Sequence, residues 1–427
     1  MRILIYSYNY HPEPIGIAPL MTELAEGLAA RGHEIRVVTG MPNYPQRKVY
    51  SGYRGKLFCT EKINNVTIQR SWIWISPKPG LLTRVLFDGS FVITSLFQAL
   101  RGKRPDLILL TIPPLPVAVP ASLLSKLYSC PVIVNLQDIL PEAAVHVGLL
   151  KNKFAIRVFE QLERYAYRVA TAITVIAPDF APNLTAKGVP SNKIHHIPNW
   201  VNTNLIRPLP KEDNEFRINY GLGGKFIALY SGNIALTQGL ETVIDAAKYL
   251  ENNPEILFVI VGEEKSLSRL QNYCNQKKVT NVRMIPFQSR HLLPVMLAAA
   301  DVGLVIQKQN VISFNLPSKI QILLSSGRPI IASVPSSGAA AKVITQSQGG
   351  LVVNAEDPQK LSQAILMLQR DSGLAKKLGK QGRQFAIDNY EFDTVIDSYE
   401  NLFTKLTSLS TQDSPVLASS YTSHSKQ

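Results

Sequence analysis

Short apolar runs alternate with longer amphipathic stretches along most of this chain. The run RILIYSY (residues 2–8) precedes the amphipathic stretch APLMTELAEGLAARGH (18–33), and the run EIRVVTG (34–40) follows it. Such runs predict buried strands, and the stretch between them predicts a helix. Further strands are predicted at residues 66–70, 106–111, 131–136, 172–176 and 194–197. This alternation predicts a parallel sheet that helices cover on both faces.

The same pattern begins again in the second half of the chain. KFIALYSGN (225–233) repeats the first strand and its loop, and strands are predicted at residues 256–261, 282–285, 301–306, 329–333 and 350–353. The predicted fold class is therefore α/β, with two Rossmann-like, doubly wound domains that face each other across a cleft. In this architecture ligands bind beyond the carboxyl ends of the strands.

The domain boundaries follow from where the pattern stops and restarts. The first domain is predicted over residues 1–202, a linker with prolines and charges over 203–216, and the second domain over 217–387. A helix over 388–407 is expected to cross back to the first domain. Residues 408–427 are rich in serine and threonine and lack periodicity, which predicts a disordered tail.

The composition agrees with a two-domain globular protein. A chain of 427 residues exceeds what one hydrophobic core usually holds, and 45% hydrophobic with 18% charged residues is typical of folded proteins. The three cysteines show no metal or disulfide spacing, which favours a reducing, cytoplasmic environment. Neither 81–100, which contains Arg84 and Asp88, nor the proline-interrupted 107–125 predicts a transmembrane helix.

The positive charge is concentrated in the first half of the chain. The net charge is +14, and residues 1–200 hold 22 Lys and Arg against 12 Asp and Glu. This excess favours an anionic partner such as a phospholipid surface or a lipid diphosphate, although it also serves ordinary solubility. Because no zinc-finger, basic-zipper or aromatic RNA-binding signature occurs, no nucleic-acid partner is predicted.

Three loops of the second domain contain candidate anion-binding groups. Pro317, Ser318 and Lys319 stand at the start of a predicted helix, where backbone N–H groups and the lysine charge favour an anion. The alternative is a buried helix with a lysine at its end. The loop SGNIALTQGLE (231–241) contains Gly232, Asn233, Gln238 and Gly239, and Gly262 and Glu263 end the strand 256–261. Glycines there either admit phosphate or only form tight turns, and Glu263 either accepts ribose hydroxyls or is a solvated acid.

Two loops of the first domain contain candidate polar groups at the same edge of their sheet. His11, Glu13 and Gly16 follow the first strand, and Asp138 and Glu142 follow the strand 131–136. Asp138 is a candidate general base or sugar-hydroxyl ligand, with helix capping as the alternative. The histidines show no metal-ligand spacing, so no metal site is predicted.

Together, the motifs NYHPEPIGI (9–17), QDILPEAAVHVGLLKN (137–152), IPNWVNTNLIRPLP (197–210) and YSGNIALTQGLE (230–241) resemble those of GT-B glycosyltransferases of the family-4 type. The resemblance covers roughly residues 1–405 and lies with the bacterial exopolysaccharide enzymes of the colanic-acid kind. It implies a retaining hexosyltransferase without a required metal or cofactor. A nucleotide-diphosphate sugar is then expected on the second domain and the acceptor on the first.

The resemblance assigns expected roles to the candidate residues. Asp138 and Lys319 are the expected catalytic residues. Acceptor-binding residues are expected to be His11, Glu13, Asp138 and Glu142. Donor-binding residues are expected to be Gly16, Gly232, Asn233, Gln238, Gly239, Gly262, Glu263, Phe287, Pro317, Ser318 and Lys319.

The chain departs from the family pattern at its charged donor contacts. Family members commonly hold the diphosphate with an arginine and a lysine, at positions that are Asn233 and Gln238 here. They also carry two glutamates separated by seven residues, at positions that are Phe314 and Ile322 here. Because a leaving diphosphate gains charge during transfer, Lys319 with Ser318 is predicted to replace the lost cations. Glu263 is the candidate replacement for the ribose contact.

The leading hypothesis is a cytoplasmic enzyme at the inner face of the plasma membrane that glycosylates a lipid-linked or oligosaccharide acceptor. The apolar stretch 81–100, with Arg84 and the basic segment Arg101-Gly102-Lys103-Arg104, would then lie on an anionic membrane. A buried helix that covers the sheet is the alternative for this stretch. Two other functions stay open: a non-catalytic GT-B scaffold, because the glutamate pair is absent, and a nucleotide-sugar 2-epimerase.

Overall fold

A computed structural model of the chain describes residues 1–14, 16–44, 46–76, 80–142, 145, 150–235, 237–311 and 316–412. Its first sheet has the strand order β3-β4-β2-β1-β5-β6-β7-β8. These strands are β1 (Arg2–Tyr6), β2 (Glu34–Gly40), β3 (Phe58–Ile63), β4 (Val66–Ser71), β5 (Leu107–Ile112), β6 (Val132–Leu136), β7 (Ala172–Val175) and β8 (Ile194–His196). The helices of this half are α1 (Ile17–Ala30), α2 (Leu81–Ala99), α3 (Ala118–Tyr128), α4 (Lys153–Val169) and α5 (Phe180–Ala186).

The second sheet has the order β11-β10-β9-β12-β13-β14, and all of its strand pairs are parallel. Its strands are β9 (Phe226–Ser231), β10 (Ile256–Gly262), β11 (Val282–Pro286), β12 (Val302–Ile306), β13 (Ile330–Val334) and β14 (Gly350–Asn354). The helices are α6 (Glu215–Asn219), α7 (Glu241–Tyr249), α8 (Glu264–Lys277), α9 (Leu293–Ala298), α10 (Lys319–Ser325), α11 (Ala339–Ser347), α12 (Pro358–Arg370), α13 (Ser372–Tyr390) and α14 (Phe392–Gln412). The predicted pair of doubly wound α/β domains is confirmed.

The central strands explain why the apolar runs were informative. All six residues of β5 and all five of β6 are buried, because helices cover both faces of the sheet. Strands with no exposed face appear in the sequence as continuous apolar runs. Because β1, β2, β5 and β6 are parallel, their carboxyl ends lie at the same edge of the first sheet. The loops after β1, β2 and β6 therefore lie at that edge.

The strand β3 was not predicted, and it makes the first sheet mixed. It pairs antiparallel with β4 through a two-residue turn at Asn64 and Asn65, whose φ angles are 47° and 64°. Asparagine tolerates this left-handed conformation, which two-residue hairpins require. At the edge of the sheet the side chains of β3 are exposed or half-buried. An edge strand with so little burial lacks the apolar run that identified its neighbours.

The C-terminal region differs from the expected helix over 388–407. Glu391 separates α13 from α14, and α14 continues to Gln412, so residues 408–412 are helical rather than part of a disordered tail. Residues 413–427 lie outside the described residues. α14 packs on the first sheet's side of the molecule, where Arg31 of α1 forms an ion pair with Glu400 at 2.7 Å. The predicted linker also ends early, because α6 begins at Glu215.

The sequence left open whether residues 81–100 form a helix buried on the sheet or a helix with an exposed apolar surface. The helix α2 has one face of each kind. Phe91, with 0% exposure, and Asp88, with 5%, lie on the face that covers the sheet. The opposite face exposes a row of large apolar side chains, here called the α2 stripe: Leu82, Val85, Leu86, Ile93, Phe97 and, just after the helix, Leu100. Arg84 does not serve as a free surface cation, because its Nε lies 2.9 Å from the Asp88 carboxylate. In the part of the chain that the structure describes, no helix is long and apolar enough to cross a membrane.

Candidate functional site

Lys319 lies above the carboxyl end of β9, beside the loop 231–241 that follows this strand. A Cβ atom added to Gly232 would lie 3.3 Å from the Lys319 Nζ atom. The Nζ atom also lies 3.6 Å from the centre of the Tyr230 ring. The structure thus brings together two residues that the sequence placed 87 positions apart and predicted to share a site.

The amine of Lys319 is buried without a hydrogen-bond partner among the described residues, although the residue as a whole is half-buried. Burial lowers the pKa of Lys319 to about 7, because removal from water disfavours the charged form. The face of the Tyr230 ring is a favourable contact for the ammonium form. An anion beside the amine would favour protonation, so Lys319 is suited to bind an incoming anionic group.

The loop after β9 leaves space for a ligand because it has glycines at both ends. Gly232 has a φ of 135° and Gly239 a φ of 60°, which side chains rarely allow. A Cβ atom on Gly239 would meet the Cγ atom of Lys308 at 2.9 Å. Lys308 follows β12, and its backbone N–H donates to the carbonyl oxygen of Thr237 at 2.8 Å. A second lysine therefore borders the loop.

Asn233 and Gln238 stand where the family commonly has an arginine and a lysine, and both side chains are uncharged. The carbonyl oxygen of Asn233 accepts a hydrogen bond from the Tyr230 hydroxyl at 2.7 Å. The Oε1 atom of Gln238 accepts one from the Ala235 backbone N–H at 2.6 Å, which folds the loop on itself. The basic side chains that the structure describes beside this loop are those of Lys319 and Lys308.

The other predicted donor residues border the same edge of the second sheet. Gly262 ends β10, and a Cβ atom there would lie 2.4 Å from Ile234, so the backbone and this side chain are in close contact. Glu263 is exposed directly after it, and Phe287 is 38% exposed after β11. Pro317 is buried and Ser318 exposed before α10.

The two positions of the family's glutamates offer no carboxylate. Ile322 lies within α10 and packs against the hydrophobic core. Phe314 lies outside the described residues. Ile322 therefore places an aliphatic side chain at the position of the second glutamate.

Glu13 is held by its own domain instead of facing an acceptor as predicted. It is 4% exposed, and its Oε1 atom accepts hydrogen bonds from the backbone N–H groups of Asn43 at 2.7 Å and Tyr44 at 2.8 Å. Its Oε2 atom accepts one from the Asn9 amide at 2.6 Å. Burial raises the pKa of Glu13. This carboxylate joins the loops after β1 and β2, which is a positioning role.

His11 and Gly16 are exposed in the loop after β1. Gly16 has a φ of 74° and immediately precedes α1, and a Cβ atom there would meet no atom within 4 Å. The His11 backbone is held from both sides, because its N–H donates to Thr22 at 3.1 Å and its carbonyl oxygen accepts from Arg70 at 2.5 Å. Both residues therefore lie on a fixed loop at the predicted edge.

Asp138 and Glu142 have different surroundings after β6. Asp138 is half-buried two residues beyond the strand. The adjacent Gln137 exchanges amide hydrogen bonds with Asn199, at 2.8 Å and 3.2 Å, which fixes the start of this loop. Glu142, a predicted acceptor-binding residue, forms an ion pair with Lys187.

Side chains of the two domains meet across the cleft. Lys342 of α11 lies 2.9 Å from the Asp179 carboxylate, and Arg290 forms an ion pair with Glu23 of α1. Tyr44 of the first domain has a raised pKa because of burial and, next, the negative charge of Glu263 on the second. The described loops of both sheets thus face one shared space.

The sequence missed Tyr230, Lys308 and Tyr44 as residues of this site. Tyr230 is one of several apolar positions in a buried strand, so its pattern indicated only core. Lys308 stands in no recognisable motif, and Tyr44 lies in a loop without periodicity. Among the described residues, no group of three or more His, Cys, Asp or Glu is arranged to hold a metal ion.

Comparisons with known proteins agree with this geometry. The glycosyl transferase 4-like domain matches residues 16–200, and the glycosyl transferases group 1 domain matches residues 212–385. The colanic acid biosynthesis glycosyl transferase WcaI of Escherichia coli (strain K12) is 30% identical over 408 residues, which cover 94% of this chain and 99% of that protein.

Solved structures share the fold at low sequence identity. Sucrose-phosphate synthase from Thermosynechococcus elongatus superposes with a TM-score of 0.75 and 18% identity, over 96% of this chain and 99% of that one. Anabaena Alr3699/HepE in complex with UDP-glucose superposes with a TM-score of 0.72 and 16% identity, over 95% and 100%. The chain therefore belongs to the glycosyltransferase family that combines the glycosyl transferase 4-like and group 1 domains, and its fold is GT-B.

Proposed function

We propose that this glycosyltransferase moves a sugar from a nucleotide-diphosphate sugar to a lipid-linked or oligosaccharide acceptor of cell-surface polysaccharide synthesis. The observation that carries the proposal is the buried, unpaired amine of Lys319 beside Gly232. A diphosphate placed against the Gly232 backbone would give this amine the anionic partner that the described residues do not provide. The complex of Anabaena HepE with UDP-glucose supports a donor of this class.

The proposed chemistry assigns Lys319 to the leaving group. As the bond between the sugar and the diphosphate breaks, negative charge grows on the diphosphate oxygens, and a fixed cation stabilises this charge. Lys319 takes up a proton as the donor binds and then acts as that cation. Since Lys319 and Lys308 supply positive charge, we propose transfer without a metal ion. Retention of configuration is proposed from the family resemblance.

A panel of nucleotide-diphosphate sugars tests the proposed function directly. The purified chain is incubated with each donor, and release of the nucleoside diphosphate is measured with and without lipid-linked acceptors. Turnover with at least one donor is the expected result. Binding without turnover across the whole panel would contradict the transferase and favour the scaffold, whereas a 2-epimer formed without acceptor would favour the epimerase.

Replacing Asp138 by asparagine is expected to lower turnover about a hundredfold, because the amide cannot accept a proton or fully polarise a sugar hydroxyl. Steady-state transfer assays measure the loss, and thermal unfolding checks that the fold is kept. Asp106→Asn is the matched control, since Asp106 pairs with Arg2 at 2.9 Å just before β5, at the opposite edge of the same sheet. Asp138 is only a structural residue if its variant keeps activity within about threefold of the parent.

The α2 stripe supports peripheral contact with an anionic membrane at the cytoplasmic face. Ile93 is 60% and Phe97 57% exposed, although large apolar side chains are normally covered in soluble proteins. α3 packs against both α2 and α4, and α4 exposes Phe154 and Val158 on the same side of the first sheet. Exposed cations occur along α4 and just before it: Lys151, Lys153, Arg157, Arg164 and Arg168. Apolar side chains with flanking cations are typical of helices that lie in the lipid headgroup region.

Ile93→Glu is expected to weaken binding to phosphatidylglycerol-containing vesicles by at least about tenfold, because a charge replaces a side chain that enters the lipid. Co-sedimentation with the vesicles measures the partition coefficient. Ile218→Glu is the matched control, since Ile218 is 68% exposed but belongs to α6 of the other domain. Equal partition of the two variants would show that α2 does not contact the membrane.

A further inference from the structure

A cavity of about 320 Å³ opens beside the first sheet, outside the residues assigned to the donor. Its walls are mainly apolar and aromatic: Met41, Val49, Tyr53, Leu57 and Trp72. The exposed residues Arg54 and Lys56 also line it. The volume is within the usual range of ligand pockets, about 300–1,000 Å³. An apolar space with two cations fits a ligand that is both apolar and anionic.

The aromatic wall of the cavity is fixed by buried groups. The guanidinium of Arg70, which has 0% exposure, lies 4.9 Å from the centre of the Tyr53 ring. Glu61 accepts a hydrogen bond from the Tyr53 hydroxyl at 3.3 Å and one from Arg70 at 2.6 Å. The Trp72 backbone N–H donates to the carbonyl oxygen of Leu57 at 2.9 Å. The cavity is therefore a built feature with positioned walls.

The cavity is continuous with the surface of α2. The rings of Trp72 and Trp74 lie 6.2 Å apart, and Trp74 is 46% exposed. The Trp74 backbone N–H donates to Ser90 of α2 at 2.8 Å, and the Thr94 hydroxyl donates to the carbonyl oxygen of Trp72 at 2.7 Å. These contacts join the tryptophans to the helix that carries the α2 stripe. Trp72 therefore belongs to the cavity wall and also contacts Trp74 and α2.

Two other residues of the cavity wall belong to the loop after β2. Met41 follows β2, and the same loop contains Tyr44 and Val49. Tyr44 lies near enough to Glu263 for that carboxylate to raise its pKa further. The walls of the cavity thus come from a segment that contacts α2, through Trp72, and from the loop of Tyr44, whose side chain is close to Glu263 of the second domain. A lipid-anchored sugar acceptor needs contacts with both regions.

From this arrangement we infer that the cavity binds the phosphate-bearing end of the acceptor's lipid chain, with the chain on the aromatic wall and the phosphate on Arg54 and Lys56. The inference rests on the proposed lipid-linked acceptor and assigns this acceptor a binding position on the first domain. Arginine and lysine side chains bind phosphate through charge-assisted hydrogen bonds. Tryptophan and tyrosine supply large rigid apolar surfaces for the chain.

Farnesyl phosphate is the probe, and tryptophan fluorescence is the signal. The chain has three tryptophans, and Trp200 is only 3% exposed, so acrylamide quenches mainly Trp72 and Trp74. Farnesyl phosphate is expected to protect these two from quenching in a saturable way. Farnesol, which lacks the phosphate, and dihexanoyl phosphatidylglycerol, an ordinary phospholipid, are expected to protect at least about tenfold more weakly.

Leu57→Asp is expected to weaken farnesyl phosphate binding at least about tenfold, because it places a negative charge in the apolar cavity. Leu57 is 55% exposed, so the substitution leaves the core intact. Leu205→Asp is the matched control, since Leu205 is 51% exposed in the segment between the domains. The double variant Arg54→Gln with Lys56→Gln is expected to bind farnesyl phosphate no better than farnesol.

The outcomes separate this inference from the proposed function. UDP-induced thermal stabilisation and donor turnover are measured on the same samples. If donors act normally but farnesyl phosphate gives no protection, or Leu57→Asp binds it as the parent does, the cavity is not the acceptor site. Equal protection by dihexanoyl phosphatidylglycerol would identify a general phospholipid site and would also overturn the inference. A parent chain that neither binds nor turns over any donor contradicts the proposed function, whatever the cavity binds.

Discussion

Replacing Lys319 by alanine is expected to lower the turnover number about a hundredfold or more, because a leaving diphosphate would lose the cation nearest to Gly232. Loss of one positioned electrostatic donor commonly has an effect of this size. Steady-state transfer with the best donor of the nucleotide-sugar panel measures it. Lys265→Ala is the matched control, since Lys265 is an exposed lysine of α8 two residues beyond Glu263. A loss below about threefold would remove Lys319 from the chemical step.

The same lysine is expected to reduce stability while it serves catalysis. The pKa of Lys319 is about 7 in the folded chain and near 10.5 when unfolded. Between these values the unfolded chain binds more protons, so the contribution of this group to the free energy of unfolding rises with pH. The cost of burying the amine is largest below pH 7. Lys319→Met is therefore expected to be inactive but more stable than the parent, by a margin that shrinks from pH 7 to pH 10. Urea unfolding at several pH values measures this margin.

Donor binding should show the complementary pH dependence. Above about pH 7 the free chain holds Lys319 as the neutral amine, and binding of a diphosphate requires uptake of a proton. We expect UDP affinity to fall as the pH rises above 7, and calorimetry in buffers of different ionisation enthalpy to detect proton uptake. Lys319→Met should take up no proton at this site. Uptake that is equal in both proteins would assign it to another group.

Replacing Phe403 by alanine is expected to lower the free energy of unfolding by about 3–5 kcal/mol, the usual cost for a fully buried phenylalanine. Phe403 is 0% exposed and packs with Ile5, Leu24 and Tyr399 in the cluster between α14 and the first sheet. Urea unfolding measures the loss. Thr404→Ala, an exposed change on the same helix, is the control and should stay within about 0.5 kcal/mol of the parent.

A small effect of Phe403→Ala would show that α14 contributes little to the first domain in solution. The contacts of α14 with the first domain predict a large effect instead. The Tyr399 hydroxyl accepts a hydrogen bond from the Asn135 amide at 2.8 Å in the centre of the first sheet. His33 lies 2.7 Å from the Glu400 carboxylate, so the turn between α1 and β2 is also held by this helix.

The sequence predicted the strands and the general position of the site because both depend on local patterns. Continuous apolar runs identified β5 and β6, and glycines after apolar runs identified the loops at Gly232 and Gly262. The edge strand β3 was not predicted, because half-exposed strands lack such apolar runs. The break between α13 and α14 lies at Glu391, a few residues after the predicted boundary between 387 and 388, and neither glycine nor proline marks its position.

The internal partners of Glu13 and Glu142 could not be predicted from the sequence because they are distant along the chain. Glu142 meets Lys187, which is 45 residues away, and Glu13 meets the Asn43 and Tyr44 backbone about 30 residues away. No local pattern encodes partners at such separations. The sequence predicted Lys319 as a site residue but not the Tyr230 ring beside it, because an aromatic residue in a buried strand has the same pattern as a core residue.

The return of the chain at Glu391 has a mechanical consequence. Val201, where the chain leaves the first domain, donates its backbone N–H to the carbonyl oxygen of Tyr390 at 2.8 Å, where the chain comes back. Arg383 also holds the outgoing segment through the carbonyl oxygens of Thr203 and Ile206. These hydrogen bonds tie the outgoing and the returning crossing to each other, so any change in the relative orientation of the two domains has to bend both crossings together.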